Sequence, residues 1–77
     1  MNQEFTVYGA DGCSFCVKAK DFLMDRVGEE HFSYVDIAMD EDARSFLRDE
    51  LKVRQIPQVF CGDQHIGGYQ ELVKYLS

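Results

Sequence analysis

Apolar side chains come in short blocks set off by glycines and charges, and the spacing inside each block selects an element. Phe5-Thr6-Val7-Tyr8 is a β-branched and aromatic run that stops at Gly9, with Asp11-Gly12 supplying a turn, so it reads as a strand. From Cys13 to about Val27, Cys16, Ala19, Leu23 and Val27 recur at three- and four-residue steps, while Lys18, Asp21 and Asp25 take the other side. That period predicts an amphipathic helix, which Gly28 ends. Phe32 to Ile37 reads as a second strand. Asp40 then stands where it can cap a helix whose first turn holds Glu41 and Asp42, since negative charge suits the positive helix end. The buried face of that helix is expected to be Ala43, Phe46, Leu47 and Leu51. Gln58-Val59-Phe60-Cys61 is a third strand, Gly62-Asp63 a hairpin turn and His65-Ile66 a short returning strand. Gly67-Gly68 breaks it, and Tyr69, Leu72, Val73 and Leu76 line a last helix.

The order β-α-β-α-β-β-α alternates in its first half, which favours a parallel crossover, and adds a hairpin and a covering helix in its second. The expected class is α/β, in a single domain over 1–77 without internal repeat, linker or low-complexity segment. A chain of 77 residues buries only about 60–65% of its unfolded surface, so any site is expected at or near the exterior.

Charge and cysteine usage narrow the function. The formal charge of −6 argues against nucleic acid or an anionic membrane as a partner, because phosphate binding needs clustered cations. No apolar run is long enough to cross a bilayer, and Met1 to Thr6 has neither the basic start nor the apolar stretch of a signal peptide, so the expected compartment is the cytoplasm. Three cysteines, two of them close together, do not form the even, widely spaced set of a disulfide-stapled secreted domain. A close pair in a reducing compartment points to chemistry or metal.

Cys13-Ser14-Phe15-Cys16 falls where a strand ends and a helix begins, which sets the first sulfur over unpaired backbone N–H groups. Such a position stabilises a thiolate. One turn later Cys16 belongs to the inward stripe, near enough to close a disulfide with Cys13 but poorly placed to meet a bulky partner first. Cys13 is therefore the expected attacking nucleophile and Cys16 the resolving thiol. A C-x-x-C pair beside a βαβ pattern is a thioredoxin-like redox signature. The competing use is a zinc site completed by Cys61 and His65, ranked lower because Cys16 lies in a buried helical stripe and not on a turn. Cys61 alone reads as a small apolar strand residue. Neither His31 nor His65 falls beside Cys13 in this topology, which argues against a cysteine–histidine hydrolase. Asp40-Glu41-Asp42 reads as a helix start without catalytic duty, and a non-catalytic binding module is disfavoured because an idle reactive thiol pair invites oxidation.

Four features occur in order: the aromatic strand before Cys13-Ser14-Phe15-Cys16-Val17-Lys18-Ala19-Lys20, the Ile56-Pro57-Gln58-Val59-Phe60 segment, His65-Ile66-Gly67-Gly68, and the terminal helix. In that combination, from about Phe5 to Leu76, the chain resembles a glutaredoxin. The ending His65-Ile66-Gly67-Gly68-Tyr69 and the compact length are similar to phage-encoded members, for which the compartment would be the host cytoplasm. The resemblance implies a thioredoxin-like fold with a four-stranded mixed sheet flanked by three helices. It implies a dithiol oxidoreductase that reduces protein or glutathione mixed disulfides, with glutathione as co-substrate and no bound cofactor or metal. Ribonucleotide reductase as electron acceptor, a thioredoxin-type reductase as electron source and a monomeric state belong to the same expectation.

The resemblance also implies site residues. Cys13, Cys16 and Pro57 are expected to be catalytic, with a cis bond before Pro57 and the free backbone of Ile56 pairing with an extended cysteinyl or glutathionyl substrate. From the residues alone, Ile56-Pro57 says only that Ile56 is extended, and either isomer is open. Phe15, Arg54, Ile56, Gly68, Tyr69 and Gln70 are the expected glutathione or mixed-disulfide contacts. Arg54 would reach a glutathione carboxylate or else stand as a solvated charge, and the N–H groups at Gly68 and Tyr69 would hold the γ-glutamyl carboxylate. The paired glycines point to a close approach there.

The chain departs from the family pattern at several points. Ala10 stands where a lysine commonly pairs with glutathione, Gln70 where an aspartate commonly receives the glutamyl amine, and Phe15 lacks the hydroxyl of the usual tyrosine. Asp11 adds a negative charge before Cys13, which Lys18 and Lys20 offset from the following turn. Ser14 replaces the common proline, as in members that hold a two-iron, two-sulfur cluster with glutathione as co-ligand. The alternative function is accordingly a glutathione-dependent iron–sulfur cluster or zinc carrier that uses the same cysteines as ligands. The plainer expectation is that Ser14 caps its helix. Arg44, Arg48 and Lys52 read as a solvated basic stripe, with Asp40 and Arg44 paired at i, i+4.

Overall fold

The computed structural model describes residues 4–77. The sequence-predicted order is present: β1 (Phe5–Gly9), α1 (Ser14–Arg26), a 3-10 turn (Glu29–His31), β2 (Phe32–Asp36), α2 (Glu41–Ser45), a π-helical turn (Phe46–Glu50), β3 (Gln58–Cys61), β4 (Gln64–Gly67) and α3 (Tyr69–Tyr75). The sheet runs β2-β1-β3-β4. β1 and β2 are parallel, with Phe5 opposite Phe32 and Gly9 opposite Asp36, and the remaining pairs are antiparallel. This is a four-stranded mixed sheet with a thioredoxin-like arrangement of three helices.

Alternation along β1 divides the molecule into two faces. Phe5 and Val7 turn to one side, where they bury with Ala19 and Leu23 of α1, Val59 of β3 and Leu72 of α3. Thr6 and Tyr8 turn to the other, where the Tyr8, Phe46 and Phe60 rings meet with centroids 5.8–5.9 Å apart. Helices α1 and α3 thus cover one face and the α2 segment the other. Among the described residues no helix is long and apolar enough to cross a membrane.

The second helical segment departs from the regular helix that the pattern predicts. Asp40 caps it as expected, its Oδ1 accepting from the Ala43 N–H at 3.0 Å. After Ser45 the winding widens to a π turn, with the Leu51 N–H donating to the Phe46 carbonyl at 3.1 Å. Ala43 and Leu47 still bury and Phe46 reaches the aromatic cluster, so the i, i+3, i+4 face that the pattern predicts is kept. Lys52 then takes a left-handed φ of 56° and the Val53 N–H closes onto the Leu47 carbonyl at 3.0 Å. The expected Asp40–Arg44 pair does not form. The Asp40 carboxylate serves the helix start, Arg44 donates to the Ile37 carbonyl at 3.0 Å, and Arg48 pairs with Asp49 at 2.9 Å.

Candidate active site

The first cysteine is itself the cap of α1. Cys13 has an extended backbone, and its Sγ accepts from the Cys16 N–H at 3.2 Å. The sulfur therefore takes the orphan donor that a capping oxygen would otherwise take. This corrects the expectation for Ser14, which is the first residue inside the helix and exposed. Helical periodicity carries Cys16 inward with Ala19 and Leu23, and all three are fully buried. Cys13 is partly exposed, and its thiol points to the Ile56 carbonyl at 3.9 Å.

Burial pushes the Cys16 thiol up to about 11, and the Cys13 side chain raises it further, while the Ala10 backbone and the Tyr34 hydroxyl act the other way. At neutral pH Cys16 therefore keeps its proton. The two sulfurs are unbonded and inequivalent: one partly exposed with an N–H aimed at it, the other enclosed and protonated. That asymmetry is what ordered thiol–disulfide exchange requires.

Beside the pair lies an open groove of about 290 Å³. Six of the expected residues line it or frame it: Phe15, Ile56, Pro57, Gly68, Tyr69 and Gln70. The Ile56–Pro57 peptide is cis, as the resemblance implies. Among the described residues the Ile56 N–H and C=O make no backbone hydrogen bond, which leaves an extended edge for a substrate strand. Phe15 and Tyr69 set their rings 6.1 Å apart as an aromatic wall, with the Lys18 ammonium 5.0 Å from the Phe15 centroid. Lys20 lies over the Tyr34 ring at 4.5 Å. Both lysines are thus held on aromatic faces.

Two expected contacts are arranged differently. Arg54 is outside the groove, in a neighbouring recess of about 290 Å³ with an apolar floor that includes Leu47 and Val53 and a rim that includes Arg44 and Arg48. The two depressions meet at Gln55 and Ile56. At the start of α3, the Gly68 N–H is already donated to Glu71 Oε1 at 2.9 Å, so a carboxylate of the chain itself occupies that donor. The group that approaches the paired glycines closely is the chain's own Glu71 side chain. A Cβ on Gly67, whose φ is 127°, would fall 2.9 Å from Glu71 Cγ, and one on Gly68 would fall 3.2 Å from Glu71 Oε1.

Gln58 and His65 were not expected to serve the site. Gln58 is buried at 7% exposure, donates through Nε2 to the Gln55 carbonyl at 2.8 Å, and meets His65 Nε2 through Oε1 at 2.7 Å. His65 is stacked on Phe60 at 4.8 Å. This chain of contacts fixes the loop that carries Ile56 and Pro57. A glutamine opening an otherwise apolar strand was its one sequence signal.

The same contacts overturn the zinc alternative built on Cys61 and His65. Cys61 pairs with Phe5 at the start of β1, whereas the Cys16 sulfur lies over Gly9 at its end, four residues or about 13 Å away along the strand. Among the described residues no three His, Cys, Asp or Glu side chains converge as a metal site.

Comparison with known proteins agrees with this geometry. A glutaredoxin family model matches residues 5–66. Glutaredoxin 1 of Escherichia coli strain K12 is 33% identical over 77 residues, covering 92% of this chain and 89% of that protein. Among solved structures, the NrdH-redoxin of Escherichia coli, described as glutaredoxin-like with a thioredoxin-like activity profile, superposes with a TM-score of 0.79 at 24% identity, covering 96% of this chain and 95% of its own. A buckwheat glutaredoxin–glutathione complex superposes with a TM-score of 0.74 at 24% identity, covering 94% of this chain and 66% of that one. The match spans both cysteines, β1 and the cis-proline edge, and on that ground the chain belongs to the glutaredoxin family, with thiol–disulfide exchange as its chemistry.

Proposed function

We propose that this glutaredoxin reduces mixed disulfides of glutathione and of proteins through both cysteines, with Cys13 attacking and Cys16 resolving. The Cys13 thiolate attacks one sulfur of the substrate disulfide. The other substrate sulfur leaves with the electron pair and takes up a proton. Cys16 then gives up its proton to solvent and attacks Cys13 Sγ as the thiolate, the mixed disulfide breaks, and the second substrate thiolate departs and is protonated. The cysteine pair is thereby oxidised by two electrons, and two glutathione molecules or a thioredoxin-type reductase restore it. The observation that carries this reading is the contrast between a partly exposed, N–H-capped Cys13 and a fully buried Cys16.

The free edge at Ile56 and the Phe15–Tyr69 wall suit an extended cysteinyl segment, and the open groove accommodates a protein loop as well as a tripeptide. A glutathione carboxylate laid across Ile56 would reach the recess of Arg54. With Ala10 and Gln70 in place of the family's charged anchors, and with Glu71 on the Gly68 N–H, glutathione is held through fewer charges than in relatives that keep them. An oxidised protein dithiol, such as that of a ribonucleotide reductase in the cytoplasm, is the substrate class that this weaker peptide grip favours.

The test pairs variants with electron sources. Cys16→Ser is expected to accumulate a mixed disulfide at Cys13, seen by mass, while Cys13→Ser abolishes turnover. Turnover of a small disulfide by Cys13→Ser at the normal rate contradicts the reading. Running the wild type with glutathione and its reductase against thioredoxin reductase identifies the electron source. Full reductase activity in colourless, metal-free protein separates this function from that of an iron–sulfur carrier.

A further inference from the structure

We propose that Tyr34 is a positioning residue for the resolving step: its hydroxyl donates to the Cys16 sulfur and stabilises the thiolate that Cys16 becomes in order to attack the Cys13 mixed disulfide. This rests on the two-cysteine reading above and adds a residue from β2, outside the C-x-x-C segment.

The geometry centres on Gly9. A Cβ at that position would lie 2.6 Å from the Tyr34 hydroxyl oxygen and 2.8 Å from Cys16 Sγ, so the hydroxyl and the sulfur converge on one point above the end of β1. Glycine is required there because any side chain would occupy the space in which they meet. Parallel pairing places Tyr34 opposite Val7, and its ring packs on the core beneath α1. The Lys20 ammonium, 4.5 Å from the ring centroid, covers the same ring from α1. The tyrosine is thus held from two elements with its hydroxyl toward Cys16.

An enclosed thiol resists ionisation, and burial pushes Cys16 up to about 11. The charged and titratable groups around this point are Cys13 from the helix cap, Asp36 from β2, Asp11 from the β1–α1 turn and Lys20 from α1. Burial first, then Cys16, Asp36, Cys13 and Asp11, push the Tyr34 hydroxyl up to about 12. Tyr34 therefore remains a protonated donor across the range in which Cys16 loses its proton. In the resolving step the Cys16 proton passes to solvent, the thiolate forms under the Tyr34 O–H and the Ala10 backbone, and it attacks Cys13 Sγ as the substrate sulfur leaves.

Single-turnover kinetics with a glutathionylated peptide test the assignment. Tyr34→Phe keeps the ring and removes only the donor. It is expected to slow resolution about tenfold at neutral pH, the scale of one hydrogen bond to an ionised group, and to displace the midpoint of the pH–rate profile upward. In the Cys16→Ser background, attack by Cys13 is expected to proceed at the same rate with or without Tyr34→Phe. Fluorotyrosine at position 34, a stronger donor of nearly the same shape, is expected to speed resolution and lower the midpoint. An unchanged midpoint in both variants overturns the assignment, as does equal slowing of both steps. If no mixed disulfide forms at Cys13 in the Cys16→Ser background, the underlying two-cysteine reading fails. If it forms and wild type and Tyr34→Phe resolve alike, only the role of Tyr34 fails.

Discussion

The two ends of the central strands carry the same functional group in opposite circumstances. At the end of β1, Cys13 caps a helix and Cys16 lies enclosed behind it, with a groove alongside. At the other end, Cys61 is a half-buried strand residue packed on the core, with the Tyr75 hydroxyl beside it. That hydroxyl is raised above its ordinary value by its hydrogen bond with Cys61, then by burial. Among the described residues no second thiol stands behind Cys61, since Cys13 and Cys16 lie at the opposite end of β1. What separates a reactive sulfur from an inert one is thus the presence of an orphan N–H and an enclosed partner, not the residue type.

This contrast can be broken in graded ways. The largest expected effect on stability comes from enclosure. Because Cys16 is raised from 9.0 to about 11 in the folded chain, the unfolded chain gives up this proton first as pH rises. The contribution is complete below about pH 9, the unfolded value, and is lost on rising through about pH 11. The loss is of order 2–3 kcal/mol. Urea unfolding across that range is expected to show the decline, reduced in Cys16→Ala, and a wild type as flat as the variant would show that Cys16 is not enclosed. Smaller is the effect of Gln58→Leu, which strips the Gln55 carbonyl and His65 of their partner. It is expected to cost about 1–3 kcal/mol and to raise KM for peptide disulfides more than for a small disulfide, as the Ile56–Pro57 edge loosens. Equal KM changes for both substrates would remove Gln58 from the positioning of that edge. Smallest of all, Cys61→Ser is expected to leave turnover within about twofold, on the ordinary scale of a tolerated substitution. A large loss would make the two ends functionally linked.

The reactive end was the more legible in the sequence, for a physical reason. A helix start and a 3.6-residue stripe are local, and together they place Cys13 at a cap and Cys16 inside without knowledge of the rest of the fold. The residues that tune the site are not local. Tyr34 meets Cys16 only because β2 is laid parallel to β1, and Gln58 reaches His65 only across the β3–β4 hairpin. No spacing along the chain records either contact. The π turn after Ser45 and the left-handed Lys52 were equally hidden. Neither glycine nor asparagine marks the reversal at Lys52, and no residue spacing distinguishes a π turn from the regular helix over the same positions. Arg54 was legible as a charge near the proline but not as part of a separate recess, since the bend at Gln55–Ile56 decides which side it faces.

The central claim is that only one of three thiols is poised to attack. Reduced protein treated with a limiting amount of iodoacetamide near neutral pH, then digested and mapped by mass, reads this directly. The account predicts that Cys13 carries nearly all the early label, with Cys61 slow and Cys16 modified only on unfolding. Equal labelling of Cys13 and Cys61, or early modification of Cys16, would contradict it.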